Sequence, residues 1–170
     1  MKRIMETERL RLREMTEEDA PFMYKLLNSP GWLKFIGDRN IQSIDDARDH
    51  IIEKYISMYD RFGFGLWLVE IKYQSIPIGT CGLIKRPELE DVDIGFAFLP
   101  EFTGQGYAYE AAKATMQYGE DQLKLERIVA ITIPQNSRSI NLLKKLGLEM
   151  TGNAGIPKDK DCVIFEPRAR

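Results

Sequence analysis

Two glycines near the middle of the chain stand where an anionic group could bind. Gly104 and Gly106 form a turn between a predicted strand, residues 90–99, and a helix that is predicted to begin at Tyr107. Glycine allows a tight turn and close approach of a ligand to the backbone. A helix start leaves up to four N–H groups unpaired and carries about half a positive charge, which suits a pyrophosphate. Plain turn chemistry is the alternative use of this pattern.

Two carboxyl groups, those of Asp91 and Asp93, lie two residues apart on the same predicted strand. Side chains with this spacing point to one face, and mutual repulsion is expected to raise the pKa of one of them. Such a group could accept a proton from an ammonium ion. The alternative is that both are solvated charges at the edge of the sheet.

Composition bounds the classes of function. The 170 residues are 44% hydrophobic, which predicts one globular domain over residues 1–170. A net charge of −2 gives no general attraction to nucleic acid, so no nucleic-acid partner is expected. No apolar run approaches the roughly 18 residues that span a bilayer, and the polar N-terminus does not resemble a signal peptide. We therefore expect a cytoplasmic protein without a membrane partner.

Residues that bind metals are sparse. Cys81 and Cys162 are far apart in the sequence, and His50 is the only histidine. Neither a metal site nor a Cys-His nucleophile is expected from this set.

Periodicity predicts an α/β (α+β) fold with a twisted, mostly antiparallel sheet flanked by helices. Helices are predicted from the capping pair Thr16 and Asp19, after Ser43, at Tyr107 and after Asn136. Strands are predicted at residues 7–13, 64–72, 76–84, 90–99, 127–133, 148–151 and 162–165.

The turn from Thr103 to Ala108 resembles the Gln/Arg-x-x-Gly-x-Gly/Ala signature of the GNAT N-acetyltransferase superfamily. Gly106 and Ala108 occupy its last two places, whereas Thr103 stands where the signature has Gln or Arg. Segments 7–20, 64–84 and 136–148 are similar to further parts of that superfamily, in the same order. They most resemble the branch that includes ribosomal-protein N-terminal acetyltransferases.

The resemblance implies acetyl-coenzyme A as co-substrate and no metal. It implies that the sheet splays between the strand ending near Leu99 and the one beginning near Arg127, with pantetheine along residues 96–99. The cofactor-binding residues that it implies are Phe98, Leu99, Thr103, Gly104, Gln105, Gly106, Tyr107, Ala108 and Asn136.

The resemblance also suggests catalytic roles. The backbone N–H near Phe98 would polarise the thioester carbonyl, and Asp93 would accept the proton of the amine. Leu143 replaces the Tyr that many members use as proton donor, which leaves Ser139 to hydrogen-bond the sulfur. An ordinary helical serine, bonded to a preceding carbonyl, is the alternative for Ser139.

The predicted function is transfer of an acetyl group from acetyl-coenzyme A to a primary amine by direct attack. The acceptor would lie among the first two helices, the loop 31–40 with Trp32 and Phe35, and the C-terminal strands. A protein N-terminus, an amino acid, a polyamine and an aminoglycoside all remain open. The rival hypothesis is a non-catalytic, coenzyme A-binding regulatory module. The sequence leaves open whether the chain forms a homodimer.

Overall fold

Eight strands form one sheet in the computed structural model, which describes residues 1–169. Their order across the sheet is β1-β2-β3-β4-β5-β6-β8-β7, and only the β5–β6 pair is parallel. The strands are β1 (Arg3–Glu6), β2 (Leu10–Arg13), β3 (Leu66–Ile71), β4 (Ile76–Ile84), β5 (Val92–Phe98), β6 (Ile128–Thr132), β7 (Leu148–Asn153) and β8 (Val163–Pro167). This confirms the mixed, mostly antiparallel sheet.

The helices lie where capping residues and apolar periodicity predict them, except α2, which occupies the start of the segment 31–40 that was predicted as a loop. They are α1 (Ala20–Leu27), α2 (Pro30–Phe35), α3 (Ile44–His50), α4 (Ser57–Phe62), α5 (Tyr107–Asp121) and α6 (Ser137–Lys145). A π-helical segment, Ile51–Ile56, joins α3 to α4, so the single helix expected after Ser43 changes its hydrogen-bonding pattern midway. β1 was not predicted, because a short edge strand needs no clear apolar alternation.

Helix α5 covers one face of the sheet. Trp67 of β3 packs edge-on against Tyr118 of α5, with ring centroids 5.3 Å apart. The Sγ atom of Cys81 on β4 lies 3.4 Å from the Thr115 hydroxyl of α5. Cys81 pairs with Phe96 of β5, so the Phe96 side chain also faces α5. Because side chains alternate along a strand, the residues on either side of Phe96 face the other side of the sheet.

The N-terminal helices pack on the opposite face. The Tyr59 hydroxyl of α4 accepts a hydrogen bond from the Met15 N–H at 3.2 Å and donates one to the Leu66 carbonyl. The guanidinium of Arg13 makes two bonds, of 2.8 and 2.9 Å, to the carboxylate of Asp19. Asp19 also accepts the Thr16 N–H at 2.8 Å, so the predicted cap is tied to a buried ion pair.

Candidate active site

The glycine turn leaves the start of α5 without a side-chain cap. Gly104 and Gly106 have φ angles of +76° and +81°, a region that L-residues rarely adopt. Gly106 is the N-cap of α5, and no side chain among residues 1–169 bonds the first N–H groups of the helix. A Cβ atom built on Gly104 would meet nothing within 4 Å. The turn therefore has the exposed N–H groups and the open space that a phosphate group requires.

Two polar side chains of the turn hold it in shape. The Thr103 hydroxyl donates to the Pro100 carbonyl at 2.8 Å, and the Gln105 amide donates to the Glu101 carbonyl at 2.9 Å. Both side chains are thus engaged within the protein, which leaves the backbone of the turn to bind an anion.

The sheet opens beside the C-terminal half of β5. Register pairs between β5 and β6 are confined to Val92 with Ile128 and Asp93 with Val129. From Ala130 onward, β6 pairs with β8 instead. The predicted splay between these two strands is confirmed, and it starts early in β5.

The open edge of β5 is formed by the backbone of Phe96 and Phe98. The Leu99 N–H donates to the Ile78 carbonyl of β4 at 2.9 Å. Because backbone groups alternate sides along an antiparallel strand, those of Phe96 and Phe98 point away from β4, toward the gap. An extended chain could pair with this edge as an added strand does.

Leu99 differs from the other predicted edge residues. Its N–H is bonded to Ile78, its carbonyl accepts the Phe102 N–H at 3.0 Å, and its side chain is buried. The polar groups of Leu99 are therefore committed within the protein, which confines the open edge to residues 96–98.

Asp93 is the buried acid of the site, with 1% of its surface exposed. One carboxylate oxygen accepts the Arg86 Nε–H at 2.9 Å. Burial raises the pKa of Asp93 to about 6, and the opposing charge of Arg86 holds it from rising further. A carboxyl group with this pKa is ionised at neutral pH, yet basic enough to accept a proton.

The predicted cause of that pKa shift was wrong. Asp91 precedes β5 and bonds the Arg127 side chain at 3.1 Å near the surface. Desolvation of Asp93, rather than repulsion between two carboxylates on one face, raises its pKa. Asp93 is also not the solvated edge charge that the alternative described.

Helix α6 brings Asn136 and Ser139 together. The Asn136 side-chain oxygen accepts the Ser139 N–H at 3.3 Å, which confirms the predicted cap. Leu143 lies one turn beyond Ser139 on the same face and is buried in the core. Within residues 1–169 the Ser139 hydroxyl makes no hydrogen bond, so the expected bond to a preceding carbonyl is not seen.

Two arginines near these groups were missed by sequence reasoning. Arg86 contacts Asp93, and Arg9 reaches the glycine turn by donating to the Gln105 carbonyl at 3.0 Å. The second contact joins residues 96 positions apart, and no local pattern marks either arginine.

The segment proposed for acceptor contacts is arranged differently from the prediction. Trp32 is buried with 6% of its surface exposed, so it packs in the core. The exposed apolar side chains of this segment are Leu33 and Ile36. Phe35 is half-buried.

Residues 1–169 lack two other kinds of feature. In this part of the chain no helix is long and apolar enough to cross a membrane. Among the same residues, no group of three or more His, Cys, Asp or Glu side chains could hold a metal ion.

Comparison with known proteins gives a match over most of the chain. A family model described as "Acetyltransferase (GNAT) domain" matches residues 9–149. The uncharacterized N-acetyltransferase p20 of Bacillus licheniformis is 31% identical over 86% of this chain and 82% of its own length.

Two relatives have names that specify an acceptor. The ribosomal protein uS5-alanine N-acetyltransferase of Escherichia coli is 29% identical, over 73% of this chain and 61% of its own length. The spermidine N(1)-acetyltransferase of Escherichia coli is 24% identical, over 84% of this chain and 74% of its own length.

Solved structures have the same fold. An acetyltransferase from Agrobacterium tumefaciens aligns with a TM-score of 0.83 at 21% identity, covering 99% of this chain and 95% of that one. A ribosomal L7/L12 alpha-N-protein acetyltransferase, solved in complex with coenzyme A, aligns with a TM-score of 0.81 at 20% identity. That alignment covers 98% of this chain and 97% of the other.

Proposed function

Because the chain belongs to the GNAT acetyltransferase family, we propose that it transfers the acetyl group of acetyl-coenzyme A to a primary amine by direct attack. The observation that carries this proposal is the open edge of β5 leading into the uncapped start of α5. The edge suits an extended pantetheine chain, and the glycine turn suits a pyrophosphate.

The donor would be held mainly by backbone groups. N–H groups of residues 104–108 bind the pyrophosphate, and the edge of β5 at Phe96 and Phe98 pairs with pantetheine. The Phe98 N–H, which points into the gap, polarises the thioester carbonyl. A preorganised donor of this kind contributes roughly 3 kcal/mol to lowering the barrier.

Asp93 accepts the proton of the amine through water. Asp93 and Phe98 lie five residues apart on β5, a span of roughly 16 Å at about 3.3 Å per residue. The Asp93 side chain also lies on the sheet face opposite α5. Phe96 pairs with Cys81, which contacts α5, and the side chains of Asp93 and Phe96 point to opposite faces because they are three positions apart on the strand. This separation excludes direct transfer, so the proposed transfer runs along water molecules between the acceptor and the carboxylate.

Arg86 keeps that carboxylate ionised at neutral pH despite its burial. Without the guanidinium, desolvation alone would raise the pKa of Asp93 further. Beside Arg86, the buried Asp93 carboxylate is thus a stronger base than a free carboxylate and a weaker base than the amine.

The acceptor is a primary amine on a peptide N-terminus or a small molecule. Relatives named for ribosomal-protein alanine and for spermidine support both classes. The acceptor would approach the gap along the exposed side chains of Leu33 and Ile36 and the loop between β7 and β8.

A panel of amines tests this function. Acetyl-coenzyme A is incubated with the protein and with peptides that begin with Ala or Ser, spermidine, free amino acids and aminoglycosides. Thiol release and mass spectrometry of the acceptor report turnover. We expect acetylation of at least one class. Coenzyme A binding without acetylation of any class would support the regulatory module instead.

Ser139 provides a smaller, separate test. If its free hydroxyl donates to the sulfur as the thiolate develops, Ser139→Ala lowers the catalytic rate by about 10-fold, because such a bond contributes roughly 1 to 3 kcal/mol. Affinity for acetyl-coenzyme A should stay nearly constant, since the bond strengthens mainly in the transition state. The test compares the single-turnover rates of the wild type and Ser139→Ala at saturating acetyl-coenzyme A. Equal rates would mean that water, not Ser139, supplies the proton to the thiolate.

A further inference from the structure

Glu110, in the first turn of α5, is the centre of a polar cluster that includes the N-terminal part of the chain. It accepts the Thr7 hydroxyl at 2.5 Å, the Arg9 backbone N–H at 2.9 Å and the Arg9 Nε–H at 2.7 Å. Burial acts to raise the pKa of Glu110, but these hydrogen bonds overcome it and leave the pKa lowered. Glu110 is therefore a carboxylate that fixes the direction of the Arg9 side chain.

The guanidinium of Arg9 lies across the glycine turn. Its Nη1 atom donates to the Gln105 carbonyl at 3.0 Å, and its Cζ atom lies 4.5 Å from the centre of the Tyr107 ring. Its Nη2 atom lies 3.3 Å from the position that a Cβ atom on Gly106 would occupy. Arg9 thus reaches the same residues whose N–H groups open α5.

Several donors of this guanidinium are not used within the protein. Arginine has five N–H donors, and one bond to Glu110 and one to Gln105 account for two of them. Within residues 1–169 the Nη2 atom makes no hydrogen bond, and 42% of the side chain is exposed. A forked, charged donor is consequently available at the mouth of the turn, in the geometry that favours phosphate oxygens.

The turn itself supplies no charged side chain for an anion. Thr103 occupies the first place of the glycine motif, and its hydroxyl is bonded to Pro100. The charge of Glu110 near the helix start would repel a phosphate if it were not neutralised. Arg9 meets both needs, because it balances Glu110 and retains free N–H donors.

We propose that Arg9 is a coenzyme A-binding residue, which donates hydrogen bonds to the pyrophosphate from outside the glycine motif and is positioned by Glu110. This inference rests on the proposed function, since it assigns a residue to the donor site. It makes the connection between β1 and β2 part of the phosphate site, although this connection lies about 100 positions away in sequence.

Calorimetric titration with coenzyme A and with pantetheine tests this role. Arg9→Met keeps the apolar stem of the side chain but removes every donor. We expect it to weaken binding of coenzyme A about 10-fold or more, while affinity for pantetheine, which lacks the pyrophosphate, stays unchanged. Arg3→Met is the matched control, because Arg3 is an exposed arginine on β1 whose side chain, within residues 1–169, forms an ion pair with Glu6 alone.

The double variant Arg9→Met/Glu110→Gln separates direct binding from charge balance. If Arg9 binds the pyrophosphate, removing the Glu110 charge as well leaves binding weak. Recovery of wild-type affinity in the double variant overturns the proposal, as does an equal loss for coenzyme A and pantetheine in folded Arg9→Met. Unchanged binding in Arg9→Met overturns the role of Arg9 alone, whereas failure of the wild-type protein to bind coenzyme A overturns the proposed function with it.

Discussion

Gly106→Pro is expected to weaken binding of acetyl-coenzyme A by at least about 100-fold. Proline fixes φ near −65°, whereas Gly106 has a φ of +81°, so the turn and the first N–H groups of α5 must move. Loss of two charge-assisted hydrogen bonds, at roughly 1.5 to 3 kcal/mol each, accounts for a change of this size. Calorimetry on the variant, with circular dichroism to show that it is folded, measures the effect.

A pair of alanine variants controls for backbone strain. Gly63, at the end of α4, has a φ of +77°, close to that of Gly106. A Cβ atom added at either glycine would not clash with a backbone atom. Gly63→Ala and Gly106→Ala should therefore lose similar stability. Only Gly106→Ala should lose affinity for coenzyme A. Equal affinity in both variants, together with full binding by Gly106→Pro, would remove the turn from the donor site.

Asp93→Asn is expected to lower turnover by about 100-fold or more, with little change in affinity for acetyl-coenzyme A. An amide cannot accept the proton of the amine, and general bases typically contribute 10²- to 10⁴-fold to a rate. Because the pKa of Asp93 is about 6, the wild-type rate should rise with pH through that value as the carboxylate forms. This rise should disappear in the variant, which a pH profile of kcat/KM detects.

Asp91→Asn is the matched control for this substitution. Asp91 lies two residues earlier, but it is bonded to Arg127 near the surface. Its replacement should leave both the rate and the pH profile close to wild type. If the two variants behave alike, or if Asp91 alone matters, Asp93 is not the base.

Local sequence patterns were enough to predict the turn, the helix starts and the strand that position the site. The φ-permissive glycines, the start of α5 at Tyr107, the cap at Asn136 and the bounds of β4 follow from short-range sterics and hydrogen bonding. These interactions join residues within about four positions, so the sequence displays them directly. The missed strand β1 lies at an edge, where pairing with β2 rather than its own pattern determines it.

The chemical state of the site depended on contacts between distant segments. Burial under the assembled sheet and the contact with Arg86 set the pKa of Asp93, whereas sequence reasoning expected repulsion by Asp91. The Trp32 side chain is buried by packing in the core, and both the N–H and the carbonyl of Leu99 form hydrogen bonds within the protein. Each outcome depends on desolvation or on a partner from another element, which spacing along the chain does not encode.

The sequence by itself determined the family-like order of elements and the turn that suits a phosphate group. The tertiary structure alone decided that the gap opens after two register pairs of β5 and β6, and that Arg9 and Glu110 meet beside Gly106. The physical reason is that both features are set by packing between elements that are distant in sequence. The strand order places β6 beside β5, whereas α5 packs across the sheet as far as β2, which brings Arg9 and Glu110, about 100 positions apart, into hydrogen-bonding distance.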